Sequence, residues 1–209
     1  MTAIPLQREI HYPESDGQPM AETELHREEM TYLIQALQSW YREAPEVQVG
    51  GNLFLYYVQG DSRSVVSPDV YVTKGIPKGL RRVYKLWEEK RAPNLVIEVT
   101  SDSTRDEDLF KKKGIYERLG VEEYLLFDPL GEYLDPRLQG YRLIGRRYQP
   151  LPPDSDGSLT SQTTGLKLRP EGHRLRLIDP ATGEPLLSDQ EVREELARLR
   201  RELARRGQS

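Results

Sequence analysis

A chain of 209 residues can bury one substantial core but is short for a two-domain enzyme. Hydrophobic residues make up only 36% against 31% charged, and no stretch approaches the roughly 18 apolar residues in a row that a membrane-spanning helix needs. There is no cysteine, which excludes a disulfide framework, a thiolate zinc site and a cysteine nucleophile, and a net charge of -4 means that a nucleic-acid partner would need a local basic patch or a metal to hold it.

Residues 1–20 read as an extended arm punctuated by Pro5, Pro13, Gly17 and Pro19. They lack the basic start and apolar stretch of a secretory signal, so the expected location is the cytoplasm. Over residues 21–43, Leu25, Met30, Leu33, Ile34, Leu37 and Trp40 recur at helical spacing, with glutamates crowding the first turns. Residues 47–49, 52–58 and 65–72 are short β-branched or aromatic runs separated by Gly-Gly, Gly-Asp and Ser-Pro, and these predict strands. Residues 73–92 form a basic segment carrying Tyr84 and Trp87, and residues 95–99 are the most apolar strand candidate.

Ser103 or Thr104 then opens a helix. Thr104 and Glu107 have capping-box spacing, and Leu109, Phe110, Ile115, Tyr116 and Leu119 supply its apolar face up to Gly120. Residues 123–127 predict another strand, stopped by Asp128-Pro129. A strand that follows a crossover helix needs a parallel neighbour, so the expected architecture is α/β, with a mixed sheet flanked by helices.

Beyond Gly131, strand-like pieces at 141–144 and 174–178 predict hairpins that extend this sheet. From Ser188 onward, Val192, Leu196, Leu199 and Leu203 step by four, three and four, a two-heptad seam among arginines and glutamates. A helix this short is marginal alone, so it should pack on the body or pair with a second copy. The chain thus divides into an arm (1–20), a body (21–187) and a C-terminal amphipathic helix (188–209), and a homodimer is expected.

Two acids interrupt apolar strands, Asp69 within 65–72 and Glu98 within 95–99. Each strand end can emerge into solvent or pair with an arginine, and Ser-Pro-Asp is also ordinary turn chemistry. If instead the two lie at neighbouring strand ends, they form a site of hard oxygen ligands suited to Mg²⁺ or Mn²⁺. On the following helix Asp108, Lys112 and Tyr116 are spaced by four and share one stripe. That stripe is either a surface ion pair or a face turned toward the sheet, where Lys112 would reach the carboxylates. Lys111 and Lys113 leave the choice of lysine open by one position.

Ser67-Pro68-Asp69, residues 94–101 (NLVIEVTS), Ser103-Thr104-Arg105, Asp108-Leu109, Lys112, Tyr116, Gly120-Val121, Glu123-Tyr124 and Asp128-Pro129 together resemble the PD-(D/E)XK restriction-endonuclease-like superfamily. More narrowly the chain is similar to its Uma-two branch of prokaryotic endonucleases over roughly 19–129, and residues 84–88 and 19–22 match one sub-branch. The resemblance implies an α-β-β-β-α-β core, in agreement with the order read above. It also implies Asp69 and Glu98 as metal ligands with the Val99 carbonyl as a third, Lys112 as the catalytic lysine, and Glu22, Asp108 and Tyr116 as auxiliary groups. One departure is Thr100, which stands where the superfamily usually has lysine.

The function expected from this is metal-assisted hydrolysis of phosphodiester bonds in nucleic acid, with DNA favoured. A cation would activate water and Lys112 would position it. Lys78, Arg81, Arg82, Lys85 and Arg91 are candidates for gripping the strand, with Tyr84 and Trp87 for stacking, although a charged loop with core aromatics has the same composition. Arg142, Arg146 and Arg147 form a second candidate patch. The three histidines are scattered without zinc spacing, and no phosphate-cradling glycine loop is present. The alternative is a non-catalytic nucleic-acid-binding or assembly module on the same fold, dimerised through the C-terminal helix.

Overall fold

A computed structural model describes residues 10–15 and 23–206. Helix α1 spans Glu24–Trp40, and the Thr23 side chain caps it by accepting a hydrogen bond from the His26 N–H at 3.2 Å. Its stripe of Met30, Leu33, Ala36 and Leu37 is buried. Strands β1 (Val47–Gly50), β2 (Leu55–Tyr56), β3 (Val65–Val66), β4 (Val70–Lys74) and β5 (Tyr84–Lys85) follow, then the short helix α2 (Leu86–Glu89) and β6 (Leu95–Val99). A π-helical turn, Glu107–Lys112, runs directly into α3 (Lys113–Leu119). After it come β7 (Glu123–Phe127), β8 (Leu138–Ile144), β9 (Arg147–Pro150), β10 (Leu159–Thr160), β11 (Lys167–Glu171), β12 (Arg174–Ile178) and α4 (Asp189–Arg206).

The main sheet has the order β1-β4-β6-β7-β8-β9. Its parallel pair is β6 with β7, the pair joined by the crossover helix, and the other neighbours are antiparallel. Side chains alternate across it. Val70, Val72, Leu95, Ile97, Val99, Leu125 and Phe127 face α1 and the three-stranded sheet β10-β11-β12. Tyr71, Val96, Tyr124 and Leu126 face α3 and the small sheet β3-β2-β5. The same period of two puts Glu98 on the face of Val96, beneath α3.

Three expectations change. The run 65–72 is not one strand: β3 belongs to the small sheet and β4 to the main one, and the chain switches sheets at Ser67-Pro68-Asp69, where Pro68 has no N–H to give a ladder. The basic segment contains β5 and α2, too short to leave a period in the sequence. Only β8 and β9 extend the main sheet, whereas β10–β12 form their own layer over α1.

At the join between α1 and that layer, Glu29 is 2% exposed, and its Oε1 accepts the Leu175 N–H at 2.7 Å. Burial outweighs this bond and the nearby Arg174, Arg176 and Arg137, and pushes the Glu29 carboxyl up to about 7. A carboxyl raised by folding stabilises the protein below its unfolded value, near 4.5, and that contribution is lost as pH rises through about 7. The loss amounts to about 3 kcal/mol. Glu29→Gln keeps the acceptor without the charge, so the stability of this variant should exceed wild type at pH 8 and match it at pH 4.5. Urea unfolding at both pH values checks this, and parallel curves for the two proteins would sink it.

Candidate active site

The floor is built at the junction of β4 and β6. Asp69 precedes β4, whose Val70 lies opposite Ile97 of β6. Its Oδ2 accepts the Val99 N–H at 2.8 Å, and its own N–H points at Glu98 Oε2 at 3.3 Å. The two acidic residues therefore fix each other. A third stretch of backbone passes beneath them: the Asn52 N–H donates to the Pro68 carbonyl at 2.9 Å, and a Cβ on Gly51 would lie 1.9 Å from the Asp69 carbonyl oxygen. The Gly-Gly step that reads as strand punctuation is what permits this approach.

The roof is the helix after β6. A turn over residues 102–104 leads into it, and helix begins at Arg105, directly after Thr104. Arg105 N–H bonds to the Ser101 carbonyl at 3.0 Å, Thr104 Oγ1 accepts the Ser101 N–H at 3.1 Å, the Thr104 carbonyl takes the Asp108 N–H at 2.8 Å, and Glu107 pairs with Lys111. The π turn then holds an extra residue, a device common at functional sites. Asp108 becomes 1% exposed while Phe110, expected on the apolar face, is 73% exposed. The Asp108–Lys112 pair is correspondingly buried, with Lys112 Nζ 3.0 Å from Asp108 Oδ1 and 2.9 Å from Glu98 Oε2. Tyr116 donates its hydroxyl to Glu98 Oε1 at 2.9 Å. Lys111 turns out to Glu107, and Lys113 lies over the Tyr141 ring, so Lys112 is the lysine that meets the carboxylates.

Sequence reasoning missed His26. It passes as an ordinary helix residue, yet α1 sets its Nε2 3.4 Å from Asp69 Oδ2. Only the packing of α1 on the sheet brings the two together, although its position, one helical turn past the cap, was a weak signal. Val99 contributes its N–H to Asp69. Thr100, in the usual lysine position, is buried and uncharged, with its N–H on the Phe127 carbonyl at 2.7 Å. Glu22 lies outside the described residues.

The electrostatics follow from the crowding. Burial pushes the Glu98 carboxyl well above the glutamate range, and neighbouring Asp69 and Asp108 outdo part of the relief that Lys112 gives. Asp108 is raised for the same reason, burial. Burial would also raise Asp69, but His26, Lys112 and the Val99 N–H together hold it below the usual value. Lys112 resists the loss of its proton because Glu98, Asp108 and Asp69 surround it, which outweighs its own desolvation. Three carboxyls thus crowd one ammonium, with His26 beside Asp69.

The site opens on a cleft of about 820 Å³, whose lining includes His26, Phe54, Asp69, Ser101, Lys112 and Tyr133. A second cleft of about 530 Å³ between α1 and β1 has a mostly apolar wall, including Ile34, Val47, Leu53 and Leu80. Among the described residues no three His, Asp or Glu side chains form a ready cation cage. Asp69 and Glu98 nevertheless fit magnesium in kind, since that ion is commonly held by one or two carboxylates while water and phosphate oxygens complete its shell.

The expected strand-gripping residues do not line the active-site cleft. Lys78 donates to the carbonyls of Tyr41 and Arg42, Arg81 pairs with Glu89, Arg82 with Glu14, and Lys85 with Glu88. Tyr84 is fully buried in the core with its hydroxyl on the Arg91 carbonyl, while Trp87 is half-buried against Tyr12. Of the second patch, Arg142 is tied to buried Glu123 and Arg147 to Glu117.

A family model named Uma2, with the description "Putative restriction endonuclease", matches residues 1–171. No curated protein matches the chain. Among solved structures, a nuclease from Anabaena variabilis, described as "putative" and as belonging to DUF820, superposes with a TM-score of 0.50 at 16% identity. The match covers 70% of this chain and 76% of that one, and at this identity it speaks to the fold.

Proposed function

This chain belongs to the Uma2 family of restriction-endonuclease-like proteins, and from that membership we propose that it is a divalent-metal-dependent endonuclease that hydrolyses phosphodiester bonds in DNA. The coarser part of this, a nuclease with the fold of that family, has the support of the family match. The finer part rests on one observation, the convergence of Lys112 and Asp69, which line a cleft, on the buried Glu98 beneath them. In this reading Asp69, Glu98 and the Val99 carbonyl hold Mg²⁺ or Mn²⁺. When bound, such an ion lowers the pKa of water and polarises a phosphoryl oxygen.

The remaining roles belong to the chain itself. Lys112 offers its ammonium to the attacking water and to the charge that develops on the phosphate. Asp108 keeps that ammonium in place and charged, and Tyr116 fixes the rotamer of Glu98. His26 and the Val99 N–H orient Asp69. Glu22 remains a candidate for an additional carboxylate, and Lys78, Arg81, Arg82 and Lys85 for holding flanking strand away from the cleft.

Calorimetric titration of Mn²⁺ and Mg²⁺ into wild type and Asp69→Asn tests the cation site without a choice of substrate. Binding in wild type that disappears in the variant is the expected result. Equal binding in both, or none in either at millimolar metal, overturns it and leaves a non-catalytic module on the same fold.

A further inference from the structure

Among the described residues, helix α4 is anchored to the body at its start. Ser188 and Glu191 form a reciprocal cap, with Glu191 N–H on Ser188 Oγ at 3.2 Å and Ser188 N–H on Glu191 Oε2 at 2.8 Å. Glu191 also takes both ends of the Arg176 guanidinium. Beyond that anchor no described residue of α4 is buried. Val192, Leu196, Leu199 and Leu203 are exposed by 49%, 46%, 44% and 69%, in a single stripe. Such a stripe on one side of an otherwise charged helix is stable only when something covers it.

The charges beside the stripe say what covers it. With Leu196 and Leu203 at heptad position a, and Val192 and Leu199 at d, the flanking e positions are Arg193 and Arg200 and the flanking g positions are Glu195 and Glu202. One flank is basic and the other acidic. In a parallel pair of helices, g of one faces e of the other five residues on, so Glu195 meets Arg200 of the second copy and the reverse. In an antiparallel pair e faces e and g faces g, which sets arginine on arginine and glutamate on glutamate. Glu195 has a partner within its own helix in Arg198, at c and 2.6 Å away, but this is an exposed pair worth little.

We propose that α4 is a parallel dimerisation helix whose partner is α4 of a second copy of this chain. The two bodies then sit at the same end of the coil, side by side, because each joins the helix at its N-terminal turn. This goes beyond the proposed chemistry and does not depend on it.

Sedimentation equilibrium of the full chain over a broad range of concentration tests it. Wild type should be a dimer in reversible exchange with monomer. Leu196→Glu/Leu199→Glu should be monomeric with an unchanged circular dichroism spectrum in the body's β region, since both side chains are exposed. Glu195→Arg should raise the dissociation constant about tenfold, and Glu195→Arg/Arg200→Glu should restore it. Wild type that stays monomeric at every concentration overturns the proposal, as does a dimer that survives the double glutamate variant. A dimer tightened by Glu195→Arg overturns the parallel arrangement.

Discussion

Lys112→Ala is expected to reduce DNA cleavage by a factor of about 10² to 10⁴, the range for loss of one positioned charge or proton-transfer group. The same change should lower the stability of the fold by about 3 kcal/mol, because it strips the ammonium from Glu98 and Asp108 while both remain buried. The two effects separate in Lys112→Arg. A guanidinium keeps the charge that holds the acids but is planar and forked, so the variant should regain most of the stability and little of the activity. Urea unfolding and cleavage of supercoiled DNA in Mn²⁺, measured on both variants, check this. Wild-type cleavage by Lys112→Ala would remove lysine from the chemistry altogether.

Gly51→Ala should have an effect almost as large from a residue that carries no chemistry. The added Cβ would meet the Asp69 carbonyl oxygen at 1.9 Å and Ile34 Cδ1 at 2.8 Å. The first of these is backbone in the strand junction and has nowhere to go. Overpacking of this kind costs about 1–3 kcal/mol. The larger consequence is displacement of Asp69, where a shift near 1 Å costs roughly 10² in rate. Gly50→Ala makes the contrast, because its Cβ meets the end of the Tyr71 side chain instead. Equal activity in the two alanine variants would show that the crossing beneath Asp69 does not set its position.

Much of the fold was legible because the main sheet is regular. The apolar run at 95–99, the helix after it and the strand at 123–127 declare a crossover, and β6 and β7 are parallel as that requires. Asp69 and Glu98 stood out by sitting where alternation demands apolar side chains, which is a property any single sequence displays. The parts that were not legible are those decided by distant contacts. His26 carries at most the weak mark of lying one turn past the helix cap, since its meeting with Asp69 depends on how α1 lies across the sheet. The π turn leaves no propensity signal, yet it decides that Asp108 is inside and Phe110 outside. The partners of the basic segment are likewise set by distance: Glu14, Glu88 and Glu89 and two helix-end carbonyls meet Arg82, Lys85, Arg81 and Lys78, which its composition alone does not show.

The change of sheets at Ser67-Pro68-Asp69 has a bearing on how such a protein can diversify. Glu98 belongs to the main sheet and Asp69 directly precedes its strand β4, whereas Phe54, Tyr56, Val65 and Val66, which line the cleft, belong to the small sheet or the run leading into it. One wall of the cleft thus comes from a different sheet than the two acids, and this tripeptide is one of the links between them. The turn between β2 and β3 can lengthen, shorten or change sequence without moving either acid. A lineage can therefore reshape that wall by rewriting one hairpin and keep the two acids in place.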